Sequence, residues 1–570
     1  MKAGLTMLNQ KAVKVFALCL FIWFIVRYLL RGSDRPEYVL RSSTGQFWGK
    51  DLALDEKSDV NALKPDGGEN SGVPQANHKA EVEEMPNDLQ AEVPSENKDA
   101  QRIVHLDLKG AAPKVKYLEQ IFPLFASLGA SGVLIEYEDM FPYDGDLSLL
   151  SSSFAYSVED IMEINRLAKI SNLEVIPLVQ AFGHLEFVLK HEKYFGLREV
   201  AELPNSLNPR VPDSLALLKE MLTQVMKLHP QTQYFHIGCD EVYGLGTSQD
   251  SKTSDGELGK LYLSHVTAVG KFMTETWPSV KLLLWDDMLR KISVDTLKES
   301  GLPILVTPVV WKYLPQLDIK MISSWISRYE QAGFKRMWFA SAFKGATGED
   351  QMWTPLGAYL HNHGSWLEII SSLGNYPQIT LEGIMLTGWQ RYDHFSVLCE
   401  LLPVAIPSLA VCLQTLKHGY FNEKAQAEVQ HILGCKVKVD KDLCYGTGAF
   451  AGVELYHLVH TVHINFQTSM EDLLKNRHLR GGFSPYHRKY NFGNPRNLGF
   501  FQHKLTRTLK EWETVIGNLR SEMQSIYFPD TIEEWLEENV NPHLDRVREV
   551  LQDVQRVIQL RGRPKSQKLV

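Results

Sequence analysis

Two neighbouring carboxylates, Asp240 and Glu241, follow the apolar run Phe235 to Ile237 and the glycine at position 238. Paired carboxyl groups can exchange a proton with a substrate and stabilise positive charge, which is the chemistry of general acid and base catalysis. The common alternative for an Asp-Glu pair is a solvated loop. Because an apolar strand delivers this pair, its context favours a catalytic function.

Eight short apolar or β-branched runs alternate with helical stretches after Gln101, which is the pattern of a parallel sheet wrapped by helices. The predicted strands cover 103–108, 132–137, 174–179, 234–237, 281–285, 304–310, 337–342 and 383–387. Eight strands close a (β/α)8 barrel, and the span 103–387 suits that fold with loop insertions. The predicted fold class is therefore α/β, a TIM barrel, with the carboxylate pair after its fourth strand.

Polar and aromatic side chains cluster where the predicted strands end, which is where barrel enzymes hold their active sites. The main ones are His105, Asp107, Lys109, Glu136, Glu138, His184, His236, Trp285, Asp286, Trp311, Trp389, Arg391 and Tyr392. Aromatic rings beside carboxylates are typical of sugar sites, because the C–H face of a sugar packs on a ring. Packing is the commoner function of any single tryptophan, so only those that follow strands are kept as candidates.

The segment His236 to Glu241 resembles the H-x-G-x-D-E signature of glycoside hydrolase family 20. Further stretches resemble one branch of that family in the same order, at 105–110, 134–143, 340–348 and 386–394, so that the resemblance covers about 102–420. It implies a (β/α)8 barrel without a cofactor. The implied enzyme is a retaining β-N-acetylhexosaminidase that removes terminal non-reducing β-linked GlcNAc or GalNAc.

In the mechanism that the resemblance implies, the 2-acetamido oxygen of the substrate attacks the anomeric carbon, so no protein nucleophile is needed. Glu241 is expected to protonate the leaving oxygen and then to deprotonate water, which requires a carboxyl pKa raised towards the working pH. Asp240 is expected to stay ionised, to orient the acetamide N–H and to stabilise the positive charge that develops there.

Seven further residues are expected to bind the substrate, at positions that the branch resemblance and the strand ends indicate. They are His184, Trp285, Asp286, Trp311, Trp389, Arg391 and Tyr392. His184 resembles the third-strand histidine of the family and is expected beside the acid, with a structural histidine as the alternative. The tryptophans are expected to form the walls of the sugar pocket, and the other three residues to bind hydroxyls. Asp107 and Lys109 are interpreted as a pair that binds each other.

Two other functions stay open. A barrel metallohydrolase would take its metal ligands from His105, Asp107, His184, His236, Asp240 and Asp286. Such barrels commonly open with His-x-His, and here the third position is Asp107. A non-catalytic sugar-binding protein is the second alternative, which the presence of both carboxylates disfavours. We therefore expect neither a metal nor another cofactor.

The N-terminal region 1–31 contains the apolar run Val13 to Leu30, interrupted by Lys14 and Arg27, and predicts a single-pass membrane anchor. A cleaved signal peptide is disfavoured because bulky and charged residues follow the run. Basic residues flank both ends, so the positive-inside rule does not decide the orientation. A type II protein of the secretory pathway is one expectation. A nucleocytoplasmic catalytic domain, as in the resembled branch, is the alternative, which the absence of any N-x-S/T acceptor keeps open.

The region 32–100 predicts a disordered acidic stem, because Asp51 to Ala100 contains thirteen Asp or Glu against four Lys and no aromatic residue. The catalytic barrel is expected over 101–420 and a helical extension over 421–570. The net charge of −8 argues against a nucleic-acid partner. The six cysteines suggest neither a zinc knuckle nor a disulfide scaffold. The expected partners are a carbohydrate substrate and a membrane, and a homodimer is compatible with the chain.

Overall fold

The computed structural model describes residues 100–565, and eight parallel strands form a closed barrel at its centre. The barrel strands are β1 (Gln101–Asp107), β2 (Gly132–Glu136), β3 (Glu174–Leu178), β4 (Tyr234–His236), β5 (Lys281–Trp285), β6 (Val306–Trp311), β7 (Arg336–Lys344) and β8 (Thr380–Gly388). Each pairs with its neighbours in chain order, and β8 pairs with β1. Every predicted strand overlaps an observed one, so the predicted (β/α)8 barrel is confirmed.

The register of the strands brings their carboxyl ends to one level. Asp107 pairs with Glu136, Glu136 with Leu178, and Leu178 with His236. Residues that follow these strands therefore enter the same mouth of the barrel. Large apolar side chains fill the barrel below them, among them Ile103, Leu134, Ile176, Leu283, Trp338 and Met385.

Helices cover the outside of the barrel after each strand. They are Val115–Leu128, Val158–Ile170, Pro212–Leu228, Asp255–Thr276, Val294–Glu299, Leu302–Leu305, Ile319–Ala332, Leu356–Ser371 and Leu402–His418. The helix Val158–Ile170 shows why they form: a capping box of Ser157 and Asp160 satisfies its first N–H groups. Its buried residues recur at helical spacing and face the barrel. A short hairpin, Arg198–Val200 with Leu203–Leu207, lies in the loop after β3.

The C-terminal region is helical, as predicted. Its α-helices are Glu423–Leu433, Val453–Thr461, Gln467–Leu474, Arg477–Gly482, Pro485–Lys489, Pro495–Ile526, Pro529–Asn539 and Asn541–Gln559, with a π-helical turn at Val462–Phe466. One feature was not predicted: a hairpin of Lys436–Lys438 with Leu443–Tyr445, closed by a disulfide between Cys435 and Cys444. Strands of three residues are too short to show an alternating pattern.

The C-terminal helices are fastened to the barrel by buried contacts near Tyr527. The backbone of Pro113 pairs with that of Tyr527, and the Lys114 N–H donates to the carbonyl of Ile526 at 2.7 Å. The Leu402 N–H donates to the buried hydroxyl of Tyr527 at 3.1 Å. This region is therefore packed directly on the catalytic barrel.

The predicted membrane segment and the predicted stem up to residue 99 lie outside the described residues. Over residues 100–565, no helix combines the length and apolar character needed to cross a bilayer. The prediction of an N-terminal anchor is therefore untested.

Candidate active site

The turn after β4 holds Asp240 and Glu241 in a backbone conformation that is rare for L-residues. Gly238, Cys239 and Glu241 have φ values of 62°, 69° and 48°. At a non-glycine residue this conformation costs on the order of 1–2 kcal/mol. A second loop lies tightly against the turn, since a Cβ on Gly183 would lie 2.2 Å from the carbonyl oxygen of Asp240. The surroundings must therefore stabilise this turn.

Three hydrogen bonds from other strand ends hold the turn. The Cys239 N–H donates to Oε1 of Gln180 at 3.2 Å, and the hydroxyl of Tyr262 donates to the Cys239 carbonyl at 2.8 Å. The Glu241 N–H donates to Oδ2 of Asp287 at 3.0 Å. The loops after β3 and β5, with the helix Asp255–Thr276, thus fix where the two carboxylates point.

His184 lies between the two carboxylates. Its Nε2 is 3.1 Å from Oε2 of Glu241 and 3.6 Å from Oδ2 of Asp240. Burial by itself would lower the pKa of His184, but the attraction of both carboxylates outweighs burial and raises this pKa well above its ordinary value. The raised pKa favours a protonated imidazole that donates to the acidic pair, and the ring lies beside Glu241, as the sequence predicted.

Asp240 is buried, with 9% of its side chain exposed, and its Oδ1 has no hydrogen-bond partner among the described residues. Burial raises its pKa, His184 opposes that rise, and repulsion from Asp287 and Glu241 adds to it, so that the pKa is raised to about 8. A carboxylate removed from water loses its solvation, and one neighbouring cation does not fully replace it. The expected ionised state of Asp240 during the reaction stays a prediction.

Glu241 receives two hydrogen bonds on the same oxygen. The hydroxyl of Tyr243 donates to its Oε2 at 2.7 Å, and the ring of His184 lies 3.1 Å from that oxygen. Its side chain is 14% exposed. Its other oxygen, Oε1, has no hydrogen bond within residues 100–565 and is available to a ligand.

Asp287 is a third carboxylate at this site, and no function was predicted for it. Besides accepting from the backbone of Glu241, its Oδ1 accepts from the indole of Trp311 at 3.4 Å. Burial raises its pKa to about 6, which Arg290 opposes and Glu241 favours. Asp287 therefore joins the turn that carries the acid to an aromatic wall.

Asp286 lies below the mouth of the barrel with partners of its own, and its predicted contact with substrate hydroxyls stays a prediction. Its side chain is fully buried and accepts from Arg290 at 2.9 and 2.6 Å and from the hydroxyl of Tyr329 at 2.8 Å. A short 3-10 turn, Asp287–Leu289, follows β5 and changes the direction of successive side chains. The residue one position later therefore faces the acidic turn.

Four aromatic rings line the mouth in a continuous series. Trp311 stacks on Tyr313 with ring centroids 5.2 Å apart, Tyr313 lies 6.5 Å from Trp389, and Trp389 lies 6.0 Å from Trp285. Trp285 is 1% exposed and packs on His236, so it supports the wall from below. Trp311 and Trp389 are partly exposed, as a sugar wall requires, and Tyr313 joins them although it was not predicted as a site residue.

A second cluster of charges lies at the ends of β1 and β2. The buried Lys109 ammonium is 3.0 Å from Asp107, 3.3 Å from Glu136 and 3.9 Å from Glu138. Burial would raise the pKa of Glu136, but Lys109 and then His105 lower it well below its ordinary value. The predicted contact between Asp107 and Lys109 is present, within a larger cluster.

Arg391 and Tyr392, on the loop after β8, have other contacts within the described residues, and their predicted contacts with substrate hydroxyls stay predictions. Arg391 forms a two-bonded ion pair with Glu534 on the helix Pro529–Asn539 and donates to the carbonyl of Ser396. Tyr392 lies near Glu400, and burial first, with nearby negative groups adding to it, raises its pKa. No local pattern could show that a helix 140 residues later binds this loop.

The predicted metal ligands do not converge as one set. His105 lies 3.4 Å from Glu136, and Asp286 binds Arg290. Within residues 100–565, His184, Asp240 and Glu241 form the one group of three such side chains whose ligand atoms lie within 4.8 Å of one another. That group is the candidate catalytic centre itself.

A barrel with two adjacent carboxylates and an aromatic wall at its mouth has the fold and site of a glycoside hydrolase, and comparison with known proteins gives the family. The model of the Glycosyl hydrolase family 20 catalytic domain matches residues 131–320. The chain is 48% identical to hexosaminidase D of Homo sapiens over 462 residues, which cover 80% of this chain and 94% of that protein. It is 56% identical to hexosaminidase D of Bos taurus over 337 residues, which cover 58% of this chain and 96% of that protein. The chain therefore belongs to glycoside hydrolase family 20.

Solved structures of this family are more distant. The N-acetyl-beta-hexosaminidase of Streptomyces plicatus is 16% identical, with 59% of this chain and 69% of that chain covered and a TM-score of 0.41. The family assignment rests on the two relatives named hexosaminidase D, both of which this chain covers almost completely. The predictions of the family, of its branch and of a β-N-acetylhexosaminidase are confirmed.

Proposed function

We propose that this β-N-acetylhexosaminidase hydrolyses terminal non-reducing GlcNAc or GalNAc from β-linked glycosides by a substrate-assisted, retaining mechanism. The adjacency of Asp240 and Glu241 carries the proposal, since both lie on one turn and both contact the same His184. A retaining glycosidase with its own nucleophile holds its two carboxyl groups about 5–5.5 Å apart on opposite faces of the sugar. Neighbours on one turn instead leave the attack to the acetamide oxygen of the substrate.

Glu241 is the acid and then the base. Its Oε2 is occupied by Tyr243 and His184, so Oε1 gives its proton to the leaving oxygen. The bond from C1 to that oxygen breaks while the acetamide oxygen bonds to C1, which yields an oxazolinium ion. The carboxylate of Glu241 then takes a proton from water, and the water oxygen bonds to C1. The oxazolinium ring opens, and the sugar product keeps the β configuration.

Asp240 binds the acetamide. Its buried Oδ1, which has no partner among the described residues, accepts from the acetamide N–H and so turns the acetamide oxygen towards C1. The raised pKa shows that negative charge on Asp240 is poorly solvated. Positive charge that develops on the acetamide therefore gains more from Asp240 than it would from a carboxylate in water.

The aromatic wall binds the sugar ring. Trp389 and Tyr313 offer faces for the C–H side of the pyranose, and Trp311 is held beside the acidic turn by Asp287. Trp285 supports Trp389 from below. The wall therefore excludes water on the side where the oxazolinium ion forms.

The test is hydrolysis of chromogenic β-GlcNAc and β-GalNAc glycosides by the full chain. NMR identifies which anomer of the released sugar forms first. We expect turnover of at least one substrate with the β anomer formed first. An α anomer formed first would contradict the mechanism. The absence of turnover on both substrates would favour the sugar-binding alternative, and activity lost to a chelator and restored by zinc would favour the metallohydrolase.

We also propose that the chain is a single-pass membrane protein with its catalytic region in the secretory lumen. The apolar run Val13 to Leu30 supports the anchor. The disulfide between Cys435 and Cys444 supports an oxidising compartment, because such bonds are rare in the cytosol. Protease protection of the catalytic region in sealed vesicles tests this, and digestion without detergent would favour the nucleocytoplasmic alternative. Homodimerisation stays a prediction.

A further inference from the structure

Tyr243 combines two properties that no other residue of the acidic turn shares. It lies two positions after Glu241, and its hydroxyl donates to Oε2 of that residue at 2.7 Å. It is also 45% exposed, whereas Asp240 is 6% exposed. One end of this side chain therefore contacts the acid, and the rest of its ring faces outward at the barrel mouth.

The leaving group must lie near this ring. The acid protonates the oxygen that joins the cleaved sugar to the rest of the substrate, so that oxygen lies within hydrogen-bond distance of the Glu241 carboxyl group. The hydroxyl of Tyr243 lies on the other oxygen of the same carboxyl group. The part of the substrate that leaves extends from this point towards solvent, and the exposed ring is the surface that it meets.

We propose that Tyr243 has two functions in the reaction: its hydroxyl positions Glu241, and its ring forms a subsite for the leaving group. This inference rests on the proposed function, which makes Glu241 the acid. The ligand is a pyranose, because an exposed tyrosine ring offers a flat apolar face that matches the C–H face of a sugar. The preferred substrates are accordingly glycans in which the cleaved residue is linked to another sugar.

The hydrogen bond of the Tyr243 hydroxyl to Glu241 restricts the rotation of the ring. Because the side chain is already ordered, a sugar that packs on the ring causes only a small further loss of side-chain entropy. Burial, and then the negative charge of Glu241, raises the pKa of Tyr243, so the hydroxyl stays a donor. The same bond therefore orders both the acid and the subsite.

Phe395 provides a matched control. It is another aromatic residue at the barrel mouth, 62% exposed, on the loop after β8. Its ring packs edge-on against that of its neighbour His394, with ring centroids 5.5 Å apart. Its truncation changes exposed aromatic area without touching Glu241.

The experiment compares the full-length wild type with Tyr243→Phe, Tyr243→Ala and Phe395→Ala on two substrates, methyl β-GlcNAc and the β-linked GlcNAc disaccharide. We expect Tyr243→Phe to lower kcat on both by about tenfold or more, the loss of a hydrogen bond to a charged group. Its pH profile of kcat/KM should change as well, because the lost hydrogen bond contacts the carboxyl group that transfers the proton. Relative to Tyr243→Phe, we expect Tyr243→Ala to lower kcat/KM on the disaccharide by a further two- to tenfold or so, and to leave kcat/KM on the methyl glycoside at the Tyr243→Phe value.

Three results would overturn the inference. Equal kcat/KM values for Tyr243→Ala and Tyr243→Phe on the disaccharide would contradict the subsite. An unchanged pH profile of kcat/KM in Tyr243→Phe would contradict the positioning function. If Phe395→Ala lowered kcat/KM as much as Tyr243→Ala and with the same preference for the disaccharide, the effect would belong to exposed aromatic residues of the barrel mouth in general. Since Tyr243 is exposed, unchanged melting temperatures should confirm intact folds. Absent turnover by the wild type would instead refute the proposed function.

Discussion

At the ends of β1 and β2, the Lys109 ammonium lies within 3.9 Å of three carboxylates, whereas after β4 the carboxylates of Asp240 and Glu241 both contact the imidazole of His184. Both clusters are buried in the same barrel mouth. They differ in the cation: the first contains an ammonium, and the second an imidazole whose pKa is raised by the two carboxylates that it contacts. We call them the lysine cluster and the histidine cluster.

This difference in charge suggests a structural function for one cluster and a catalytic function for the other. In the lysine cluster the charge of the cation is permanent and holds the pKa of Glu136 far below its ordinary value, while burial raises the pKa of Glu138. In the histidine cluster burial raises the pKa of Asp240 to about 8, and it raises that of the adjoining Asp287 to about 6, so protons can move near neutral pH. We infer that the lysine cluster mainly holds the mouth together and that the histidine cluster performs the reaction.

Glu241→Gln should give the largest effect, because an amide cannot deliver the proton. We expect kcat/KM on the GlcNAc disaccharide to fall by about a thousandfold or more, with a smaller loss on a dinitrophenyl glycoside, whose leaving group needs no acid. Steady-state kinetics on both substrates measure this, with circular dichroism as the control for folding. Equal losses on both substrates would argue against an acid function.

Lys109→Met tests the lysine cluster. Removing the ammonium leaves Asp107 and Glu136 buried beside each other without the cation that both contact, and we expect the free energy of unfolding to fall by about 3–5 kcal/mol. Urea denaturation measures it. Glu136→Gln in the same background should restore part of the loss, since it removes one of the unpaired charges. A stable Lys109→Met protein without activity would instead place Lys109 in the reaction.

Asp240→Asn should lower kcat by about a hundred- to a thousandfold, through lost stabilisation of the oxazolinium ion. The acceptor Oδ1 lies beside the acetamide in the proposed mechanism, and an amide there cannot lose a proton to supply negative charge as the positive charge develops. Product analysis by NMR in the presence of azide distinguishes the alternatives. An azide-rescued product of inverted configuration would show that Asp240 is a nucleophile.

The barrel and the acidic pair could be predicted because both depend on local sequence. Eight apolar runs and one strand-end motif give strand positions and the place of Asp240, but not the directions of side chains after a strand. The 3-10 turn after β5 decides that Asp287, and not Asp286, contacts the Glu241 backbone. The positive φ of Glu241 likewise places Tyr243 against its carboxyl group, which no periodic pattern encodes.

Stability against pH should separate the clusters further. The folded-state pKa of Asp240 is about 8, so between pH 5 and 8 the folded state binds a proton that the unfolded chain has lost. Stability therefore falls as pH rises, and the raised pKa of His184 acts in the same direction. We expect Asp240→Asn to reduce the fall between pH 5 and 8 by roughly 1–3 kcal/mol.

Glu136→Gln is the matched control for that measurement. The pKa of Glu136 is depressed in the folded state, so its contribution is present above the ordinary glutamate pKa and is lost only as the pH falls below it. Between pH 5 and 8, the stability of Glu136→Gln should fall with rising pH as steeply as that of the wild type. Thermal denaturation across this range gives both slopes, and a flattened slope in Glu136→Gln with an unchanged one in Asp240→Asn would reverse the assignment.

Glu534→Gln should give the smallest effect, at the contact between the C-terminal helices and the barrel mouth. It weakens the partly exposed ion pair with Arg391, so we expect the free energy of unfolding to fall by about 1 kcal/mol. Turnover should change less than about twofold, because the Gln390 N–H still donates to Asp107 at 2.7 Å and Lys344 still donates to the Trp389 carbonyl at 2.6 Å. Urea denaturation and kinetics measure both, with Glu533→Gln, an exposed position of the same helix, as the control. Tenfold slower turnover at unchanged stability would mean that this helix positions the aromatic wall directly, and the lysine cluster would then share its supporting function with the C-terminal region.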